Sequence, residues 1–274
     1  MSYRTPSFQI PGLVVSSLLL SFLVPFAASA EEAAAAKVDR LPIVDRAIEF
    51  HGGDVYRSSE TKLTIRSKSG AFELISRMDG DRYDHTVVGK TSDGKVRRVR
   101  STNDTVEETR DGVAVPLDET TAKRDRDFVN ARVYFPFLPF RLNDPGVYKQ
   151  DLGLETWDGR SLHKVKVTFE AGSSTDANDE YLYWFDPETG RLEQFAYSFG
   201  TGAENGGLRL RKGFNYRRVG GLLFFDSENW GVDGGGDLRV EQVTPEYAAR
   251  SFEKISTVVV EDVSVAPVEG GSPS

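Results

Sequence analysis

The sequence predicts a mainly β (α+β) protein built on an antiparallel sheet. Apolar residues recur at every second position over most of the chain after Gly53, which is the period of a β-strand. Turn signals such as Asp79-Gly80, Asp111-Gly112 and Gly220-Gly221 separate these runs at short spacing. Such spacing joins strands as hairpins and leaves no room for the crossover helices of a parallel sheet.

Residues 1–30 are predicted to be a signal peptide. Arg4 is the only charge in this stretch, the run 13–28 is apolar, and Ala28-Ser29-Ala30 has the small residues of a cleavage site. Cleavage after Ala30 implies a periplasmic or secreted protein, and an uncleaved anchor is the alternative. Residues 31–40 then form a spacer ahead of the first helix.

The composition excludes several kinds of site. The chain has no cysteine, so it carries no lipid on an N-terminal cysteine, no disulfide, no Cys–metal site and no thiol nucleophile. Its net charge of -8 disfavours nucleic acid and anionic membrane surfaces as partners. The sequence shows no cofactor motif, and its apolar N-terminal run is short for a membrane span. We therefore expect no cofactor and not an integral membrane protein.

The elements follow one another in a single domain, residues 41–265. A helix is predicted over residues 42–50, ended by the C-cap signal Gly52-Gly53. A last strand lies within residues 252–265, and residues 266–274 are predicted to be a disordered tail. The strands between them are marked by alternating apolar positions, with the two inward-facing histidines, at Leu63, Ile65, Phe72, Leu74, Tyr83, His85, Val87, Val113, Val115, His163, Val165, Val167, Phe169, Leu208, Leu210, Phe214, Tyr216 and the run 222–225.

The stretch 117–133 interrupts the strands. It is polar, charged and free of turn residues, which predicts a helix. It leads into residues 134–140, YFPFLPF, named here the aromatic segment, whose two prolines exclude a central strand. This segment is either a loop packed into the core by its aromatic side chains or a lid over an apolar pocket, and the sequence leaves both interpretations open.

Residues 181–199, YLYWFDPETGRLEQFAYSF, form the clearest predicted hairpin. Pro187 supplies a fixed φ and Gly190 a positive φ for a turn that closes with a bulge. The first strand is apolar on both faces, and the second places Phe195, Tyr197 and Phe199 on one face. The sheet is therefore expected to have an aromatic inner surface that another part of the chain or a ligand covers.

Three histidines are the candidate acid–base groups. His51, at the end of the first helix, is expected to act as a C-cap partner favoured by the helix dipole. His85 and His163 share strand faces with apolar residues and are expected to point inward, as buried histidines that find a hydrogen-bond partner. No metal-binding or nucleophile-elbow spacing accompanies them, so neither a catalytic residue nor a metal ligand is predicted.

Two acidic loops and a set of arginines have ordinary structural interpretations. The loops 176–180 and 233–237 suggest calcium, but neither continues to the bidentate glutamate of an EF-hand, so solvated hairpin loops are predicted. A phosphate or nucleic-acid surface is the lesser interpretation of the arginines. They are predicted to lie on the outer, solvated face of the sheet: Arg97, Arg98, Arg100, Arg209, Arg211 and Arg217.

Four motifs, in this order, carry a family resemblance. They are HGG at residues 51–53, GDRY at 80–83, FPFLPFRLNDPG at 135–146 and YWFDPETGRL at 183–192. Over most of residues 40–265 the chain resembles a family of exported bacterial proteins of unknown function, similar to the periplasmic lipoprotein carriers and LppX-like proteins. The resemblance implies a curved antiparallel half-barrel with a few helices packed on its concave face, enclosing an apolar cavity for acyl chains. It implies no catalytic residues.

The leading functional hypothesis is an exported, non-enzymatic binding protein with an apolar cavity for a hydrophobic small molecule or acyl chain, acting in envelope lipid or lipoprotein handling. One alternative is a secreted hydrolase that uses an inward-facing histidine, His85 or His51. Another is an envelope protein-interaction module whose aromatic segment docks a partner protein. The residues expected to line the cavity are Tyr83, His85, Phe135, Phe137, Phe140, Trp184, Phe195, Tyr197 and Phe199.

Overall fold

The computed structural model describes residues 40–170, 179–200, 206–234 and 238–268, all within one compact unit, Ala36–Ser274. The predicted signal peptide, the predicted spacer up to residue 39 and the predicted tail from residue 269 lie outside the described residues. No helix in the described ranges is both long and apolar enough to cross a membrane.

The described chain forms one sheet of 13 strands in which every neighbouring pair is antiparallel. The sheet is open and curled, with bulges that let the long strands bend. The predicted fold class, a mainly β half-barrel with few helices, is confirmed. The strands are β1 Ser59–Ser67, β2 Gly70–Asp79, β3 Arg82–Lys90, β4 Val96–Thr102, β5 Val106–Arg110, β6 Val113–Val115, β7 Val147–Trp157, β8 Arg160–Phe169, β9 Tyr181–Phe185, β10 Leu192–Phe199, β11 Gly207–Val219, β12 Leu222–Asp233 and β13 Glu253–Pro267.

The topology is a meander in two halves joined by the last strand. β13 lies between β1 and β12, so that β1 to β6 extend to one side and β12 to β7 to the other. The two edge strands are therefore β6 and β7, which are consecutive in sequence. The connection between them, residues 116–146, has to pass from one edge of the sheet to the other.

Helix α1, Pro42–His51, precedes the sheet and packs on the β9–β10 hairpin. Proline at its start and Gly52 at its end, with φ 136°, delimit it much as predicted. The hairpin turn approaches so closely that a Cβ on Gly190 would lie 2.8 Å from the backbone of Arg46 and Ala47. Arg46 Nη1 donates to the carbonyl of Pro187 at 2.5 Å. The turn and the helix thus fix each other's position.

Helix α2, Glu119–Tyr134, forms most of the edge-to-edge connection and confirms the helix predicted within 117–133. Asp118 caps it by accepting a hydrogen bond from the amide of Thr121 at 2.7 Å. The aromatic segment continues directly from its last turn, and a short 3-10 helix, Phe140–Asn143, leads into β7. Two further 3-10 turns, Gly53–Ser58 and Val240–Gln242, flank the strands.

The face of the sheet that α1 and α2 cover is named the inner face. Val129 and Val133 of α2 pack there on Leu74 and Val87 of the sheet, and all four side chains are almost fully buried. At the other end of the same face α1 packs on a cluster around Tyr183. The apolar alternation of the strands thus supplies one continuous surface for both helices.

The opposite, outer face is also covered along β8 to β11. Helix α3, Pro245–Ser251, and the 3-10 turn before it bring Val240, Val243 and Ala248 onto Leu182 and Trp184. These strands are therefore buried on both sides, and all five residues of β9 are buried. Burial on both faces explains why β9 is a continuous apolar run.

The C-terminal boundary of the domain differs from the prediction. β13 continues to Pro267, and Val268 is buried and donates its backbone N–H to the carbonyl of Ser58 at 2.9 Å. Residues 266–268 are thus part of the sheet and its margin instead of the predicted tail. They are held because β1 pairs with β13 as far as Pro267.

Candidate functional site

A cavity of about 390 Å³ opens between the C-terminal end of α2 and the inner face of β8 to β10, and it is named the first cavity. Its walls are mainly aromatic and its rim is charged, with carboxylates from Asp127, Asp144 and Asp179 and the guanidinium of Arg141. The aromatic residues that line it are Tyr134, Phe135, Phe169, Tyr181, Tyr197 and Phe199.

Ring packing fixes the walls of the first cavity. Phe135 stacks on Phe195 with ring centroids 5.6 Å apart, and it meets Tyr197 at 5.4 Å. Tyr181 stacks on Tyr197 at 5.5 Å, as their register across β9 and β10 requires, and meets Phe169 edge to face. Pairs of this kind contribute about 0.5–1.5 kcal/mol each beyond the area they bury. The walls are therefore formed without any ligand.

The rim charges are largely neutralised by one another. Arg141 Nε donates to Asp144 Oδ2 at 2.8 Å, and Arg57 lies 3.6 Å from the other oxygen of that carboxylate. Lys123 pairs with Asp127 at 2.8 Å on the outward side of α2. A ligand entering between these pairs meets an apolar interior behind a polar rim, which is the usual composition of a ligand pocket.

A cavity of about 320 Å³, named the second cavity, lies on the other side of Phe135. Phe135 and Ala131 line both cavities and therefore lie between them. Its walls come from α2, the aromatic segment and strands β1, β2 and β10 to β13. They are lined by Ile65, Ser67, Phe72, Ala131, Arg132, Phe135, Pro136, Phe195, Arg211, Phe225, Ser227, Val258 and Val260.

Four of the nine predicted lining residues reach a cavity. Phe135 lines both, Tyr197 and Phe199 line the first, and Phe195 lines the second. These four belong to the aromatic segment and to the inner face of β10. Whether they bind a ligand remains a prediction.

The aromatic segment has one part in the core and another at the cavities. Phe137 and Phe140 are 1% and 5% exposed and pack around Tyr56, which stacks on Phe140 at 4.6 Å. They line neither cavity, contrary to the expectation, because they lie on the side of the segment that faces the core. Tyr134 and Phe135 at its start face the cavities instead. The segment is therefore anchored by its second half and exposes its first half to the site.

Tyr83 and His85 also lie away from both cavities, beneath α2. Their rings stack at 4.7 Å, and the Tyr83 hydroxyl accepts a hydrogen bond from Arg126 of α2 at 3.0 Å. His85 faces inward as predicted and is buried. They were expected in a cavity because their strand faces inward, but α2 covers that part of the sheet completely.

Trp184 lies on the opposite side of the sheet from the cavities, which corrects its predicted place beside Phe195. The register pairs Phe195 with Tyr183 and Trp184 with Gln194, so the Trp184 side chain points to the outer face. There its indole N–H donates to Glu155 Oε2 at 2.7 Å. Since β9 is apolar on both faces, the alternation of apolar and polar residues could not show which of its side chains point to the inner face.

His51 is a buried acceptor instead of the predicted charged C-cap partner. It is fully buried, and its Nε2 accepts the backbone N–H of Leu192 at 3.1 Å. Burial, with the nearby positive charges of Arg218 and Arg191, lowers its pKa to about 3, so the ring is neutral and does not use the helix dipole. Its role is to join α1 to β10.

The other two histidines do not reach the cavities either. Burial, with the charge of Arg141, lowers the pKa of His85 to about 4, although Asp84 opposes this shift. His163 is half-buried where β8 pairs with the edge strand β7, and its Nε2 lies 2.7 Å from Asp151 Oδ1. His163 is therefore less buried than the prediction of an inward-pointing side chain implies. None of the three histidines lines the first or second cavity.

Two of the six strand arginines, both on β11, were placed on the wrong face by the pattern of that strand. The apolar residues of β11, Leu208 and Leu210, pack on the covered outer face, so Arg209 and Arg211 point to the inner face. Arg209 lies 4.3 Å from the Phe199 ring, and Arg211 lines the second cavity. The prediction was wrong here because it assumed that apolar positions always mark the inner face.

Arg97 is a third correction, because it lies under α2 instead of in solvent. It donates to Glu108 at 2.9 Å and to Asp125 of α2 at 2.8 Å, and both carboxylates are almost fully buried. The hydrogen bond from Arg97 is the main cause that lowers the pKa of Glu108 to about 2. The cluster connects the helix to β4 and β5.

The remaining three arginines differ in exposure. Arg98 is exposed, and Arg100 and Arg217 are half-buried and paired with Asp84 and Asp226.

The acidic loops that suggested calcium lie partly outside the described residues, which omit residues 171–178 and 235–237. Within the described ranges, no three histidine, aspartate or glutamate side chains converge as metal ligands do.

Sequence analysis also left several lining residues out of its predicted set, among them Tyr181, Ala131 and Arg132. Tyr181 could have been found from the hairpin, since it pairs with the predicted residue Tyr197 across β9 and β10.

Comparison with known families decides where the chain belongs. A family model described as "Family of unknown function (DUF6503)" matches residues 33–248. The chain belongs to this family. The prediction of a family of unknown function is thereby confirmed, and the match covers both inner-face helices and every strand of the sheet except β13. A search of curated proteins gave no match.

Several solved structures are similar to this chain. A LolA superfamily protein from Nitrosomonas europaea is 12% identical, with 82% of this chain and 93% of that chain covered and a TM-score of 0.49. A DUF1329 family protein from Desulfovibrio piger is 13% identical, with 84% and 93% covered and a TM-score of 0.46. The Mycobacterium tuberculosis lipoprotein LppX is 16% identical, with 61% and 91% covered and a TM-score of 0.30. These similarities carry no statement about function.

Proposed function

We propose that this protein is an exported, non-enzymatic binding protein whose inner-face cavities hold a lipid or lipid-like ligand, in the handling of envelope lipids or lipoproteins. The observation that carries the proposal is the first cavity, a space of about 390 Å³ walled by aromatic rings between α2 and the sheet. Its volume lies in the range of about 300–1,000 Å³ that is typical of small-molecule sites.

The chemistry of the walls favours an apolar ligand. Each CH₂ group moved from water into such a cavity contributes about 0.8 kcal/mol. Because the rings of Phe135, Phe195 and Tyr197 are already packed on one another, a ligand does not have to order them, and less of this free energy is lost on binding. The walls therefore suit an acyl chain better than a polar metabolite.

The histidine positions favour binding over the alternative of histidine-dependent hydrolysis. His51 and His85 are buried away from the cavities, and His163 lies beside the edge strand. A general base has to come within hydrogen-bond reach of its substrate, directly or through one water. A ligand held in either cavity is not within reach of these rings.

The movable part of the site is expected at Phe135. The second half of the aromatic segment is anchored in the core through Phe137 and Phe140, so a lid made of the whole segment would have to expose buried rings. Phe135 is half-buried and stands between the two cavities. A shift of this ring joins them into one longer space.

Ligand binding can be tested on the purified protein by mass spectrometry of extracted lipid and by the fluorescence of the neutral probe N-phenyl-1-naphthylamine. Ala131 lines both cavities, so Ala131→Phe fills their junction and is expected to weaken probe binding about tenfold or more. Ala122→Phe, on the same helix but outside both cavities, is the matched control and should bind as the wild type does. Absence of both co-purified lipid and probe binding in the wild type would refute the proposal, as would equal binding by Ala131→Phe.

A further inference from the structure

The second cavity contains two arginine side chains within mainly apolar walls. Arg132 enters from α2 and Arg211 from β11, among residues such as Ile65, Phe72 and Val260. A guanidinium is always protonated near neutral pH, so two positive charges face one enclosed space. The question is which negative charge neutralises them.

Arg132 has no carboxylate partner among the described residues. Its Nη1 donates to the backbone carbonyl of Phe128 at 3.1 Å, and its guanidinium carbon lies 3.5 Å from the Phe128 ring centroid and 5.7 Å from that of Phe72. Burial and the charge of Arg97 lower its pKa to about 10, and no acidic group opposes the shift. The side chain keeps its charge at neutral pH in an unfavourable environment.

Arg211 is similarly placed on the opposite wall. Its Nη1 lies 3.4 Å from Ser227 Oγ, a long contact, and its buried Nε has no hydrogen-bond partner within the described part of the chain. Its guanidinium carbon lies 5.7 Å from the ring centroid of Phe135, which separates this cavity from the first. Ser227 lines the same cavity and offers a hydroxyl beside the arginine.

Several arginines elsewhere in the described part of the chain are paired with carboxylates. Arg97, Arg160 and Arg217 each lie within 3.1 Å of a buried or nearly buried carboxylate. A chain with a net charge of -8 has ample carboxylates, yet none of those described pairs with Arg132 or Arg211. An unpaired charge and an unsatisfied donor in apolar surroundings are costly, so their presence indicates a ligand that supplies the missing acceptors.

We propose that the second cavity is the headgroup pocket for an anionic amphiphile, whose carboxylate or phosphate is bound by Arg132, Arg211 and the Ser227 hydroxyl. The apolar chain of the ligand passes Phe135 and Ala131 into the first cavity. A guanidinium donates two parallel hydrogen bonds to either anion, which makes arginine the suitable residue for this site. The inference rests on the proposed function, and it adds the charge and orientation of the ligand.

The experiment compares ligands that share a chain and differ in the headgroup. The full-length mature protein is loaded with N-phenyl-1-naphthylamine, and the probe is displaced by oleate, by oleoyl lysophosphatidate, by oleyl alcohol or by inorganic phosphate. We expect both anionic amphiphiles to bind at least about tenfold more tightly than the alcohol, because hydrogen bonds to charged groups are the stronger ones. A fatty acid is the favoured ligand if oleate exceeds the lysophospholipid, and a phospholipid in the reverse case. Inorganic phosphate, which lacks a chain, should not displace the probe.

Arginine variants test which side chains cause the preference for an anionic headgroup. Arg211→Gln and Arg132→Gln should each reduce the preference for oleate over oleyl alcohol about tenfold while the affinity for the alcohol stays constant. Arg98→Gln removes the same charge from an exposed position on β4 and should leave the preference unchanged. Arg211→Lys keeps the charge without the paired donors and should retain part of the preference.

The outcomes separate the two proposals. If oleyl alcohol and oleate bind the wild type equally, the headgroup pocket is refuted while the apolar binding site stands. If Arg98→Gln lowers the preference as much as Arg211→Gln does, the general field of the protein is responsible and the pocket is again refuted. If no amphiphile displaces the probe, the proposed function fails as well. The wild-type ratio decides the question even for a variant that is too unstable to measure.

Discussion

The hydroxyl oxygens of Tyr134 and Tyr183 lie 2.5 Å apart and join the last residue of α2 to the middle of β9. Tyr183 is fully buried, and burial raises the pKa of both hydroxyls above the usual tyrosine value. Both groups are therefore neutral, one donating and the other accepting. This is the direct hydrogen bond between the helix that covers the site and the aromatic strand beneath it.

Removing both of these hydroxyls should cost less than the sum of the costs of removing each one alone. Tyr183→Phe or Tyr134→Phe leaves a buried hydroxyl without its partner and is expected to lower the free energy of unfolding by about 1–3 kcal/mol. The double variant loses the bond without leaving an unsatisfied group, so its loss should be smaller than the sum of the single losses. Urea denaturation of the four proteins measures the coupling. Additive losses would show that the two hydroxyls do not interact.

Gly190 is expected to be far less tolerant of substitution than Gly159. Both have φ close to +80°, but a Cβ on Gly190 would lie 2.8 Å from the backbone of α1, whereas nothing lies within 4 Å of one on Gly159. Gly159→Ala should therefore show only the backbone cost of about 1 kcal/mol. Gly190→Ala should lose several kcal/mol in total, because neither backbone can yield easily. Equal melting temperatures of the two variants would contradict the close packing of the turn on α1.

The stability of the protein should fall as the pH drops below 6.5. His51 has a folded-state pKa of about 3 against 6.5 in the unfolded chain, so the unfolded state binds a proton that the folded state does not. Its stabilising contribution is complete above pH 6.5 and is lost progressively as the pH falls toward 3, by about 1.4 kcal/mol for each pH unit. His85, with a pKa of about 4, acts in the same direction.

His51→Gln tests this pH dependence. A glutamine carbonyl can still accept the Leu192 amide but does not titrate. Between pH 7.5 and pH 5.0 the variant should lose about 2 kcal/mol less unfolding free energy than the wild type, as measured by urea titration. The same pH dependence in both proteins would mean that folding does not lower the pKa of His51.

The two faces of the β9–β10 hairpin should respond differently to ligand. Phe199→Ala removes part of the wall of the first cavity and is expected to weaken apolar ligands by about 1–2 kcal/mol. Trp184→Phe, on the outer face, should lower stability by removing the donor to Glu155 but leave ligand affinity unchanged. Probe titration and thermal melting of both variants separate the effects. A matched loss of affinity in Trp184→Phe would place the binding site elsewhere.

The sequence predicted the strands well and their faces less well. Alternation and turn residues located the strands and the 181–199 hairpin, because both are local properties of the chain. The same alternation misplaced Trp184 and Arg211, since β8 to β11 are covered on both sides and the outer cover comes from α3, far along the chain. Which face of a strand meets a cavity depends on these distant elements, and no local pattern records it.

The position of β13 beside β1 could also not be predicted from local sequence patterns. It pairs Ser59 with Pro267 at one end of β1, so the first and last strands of the chain are neighbours in the sheet. Pairing over so long a separation is set by which edges remain free once the hairpins have formed. The prediction that Phe137 and Phe140 line the cavity was wrong for a related reason. The direction in which each ring points depends on where the end of α2 positions the aromatic segment.

The connection from β6 to β7 has a consequence for how this architecture can diversify. Residues 116–146 carry α2 and the aromatic segment, yet they contribute no strand to the sheet. Insertions, deletions or exchanges in this stretch change the residues that cover the cavities without shifting the register of any strand. A chimaera that exchanges this stretch between members of the family should therefore exchange their ligand preferences on a common scaffold.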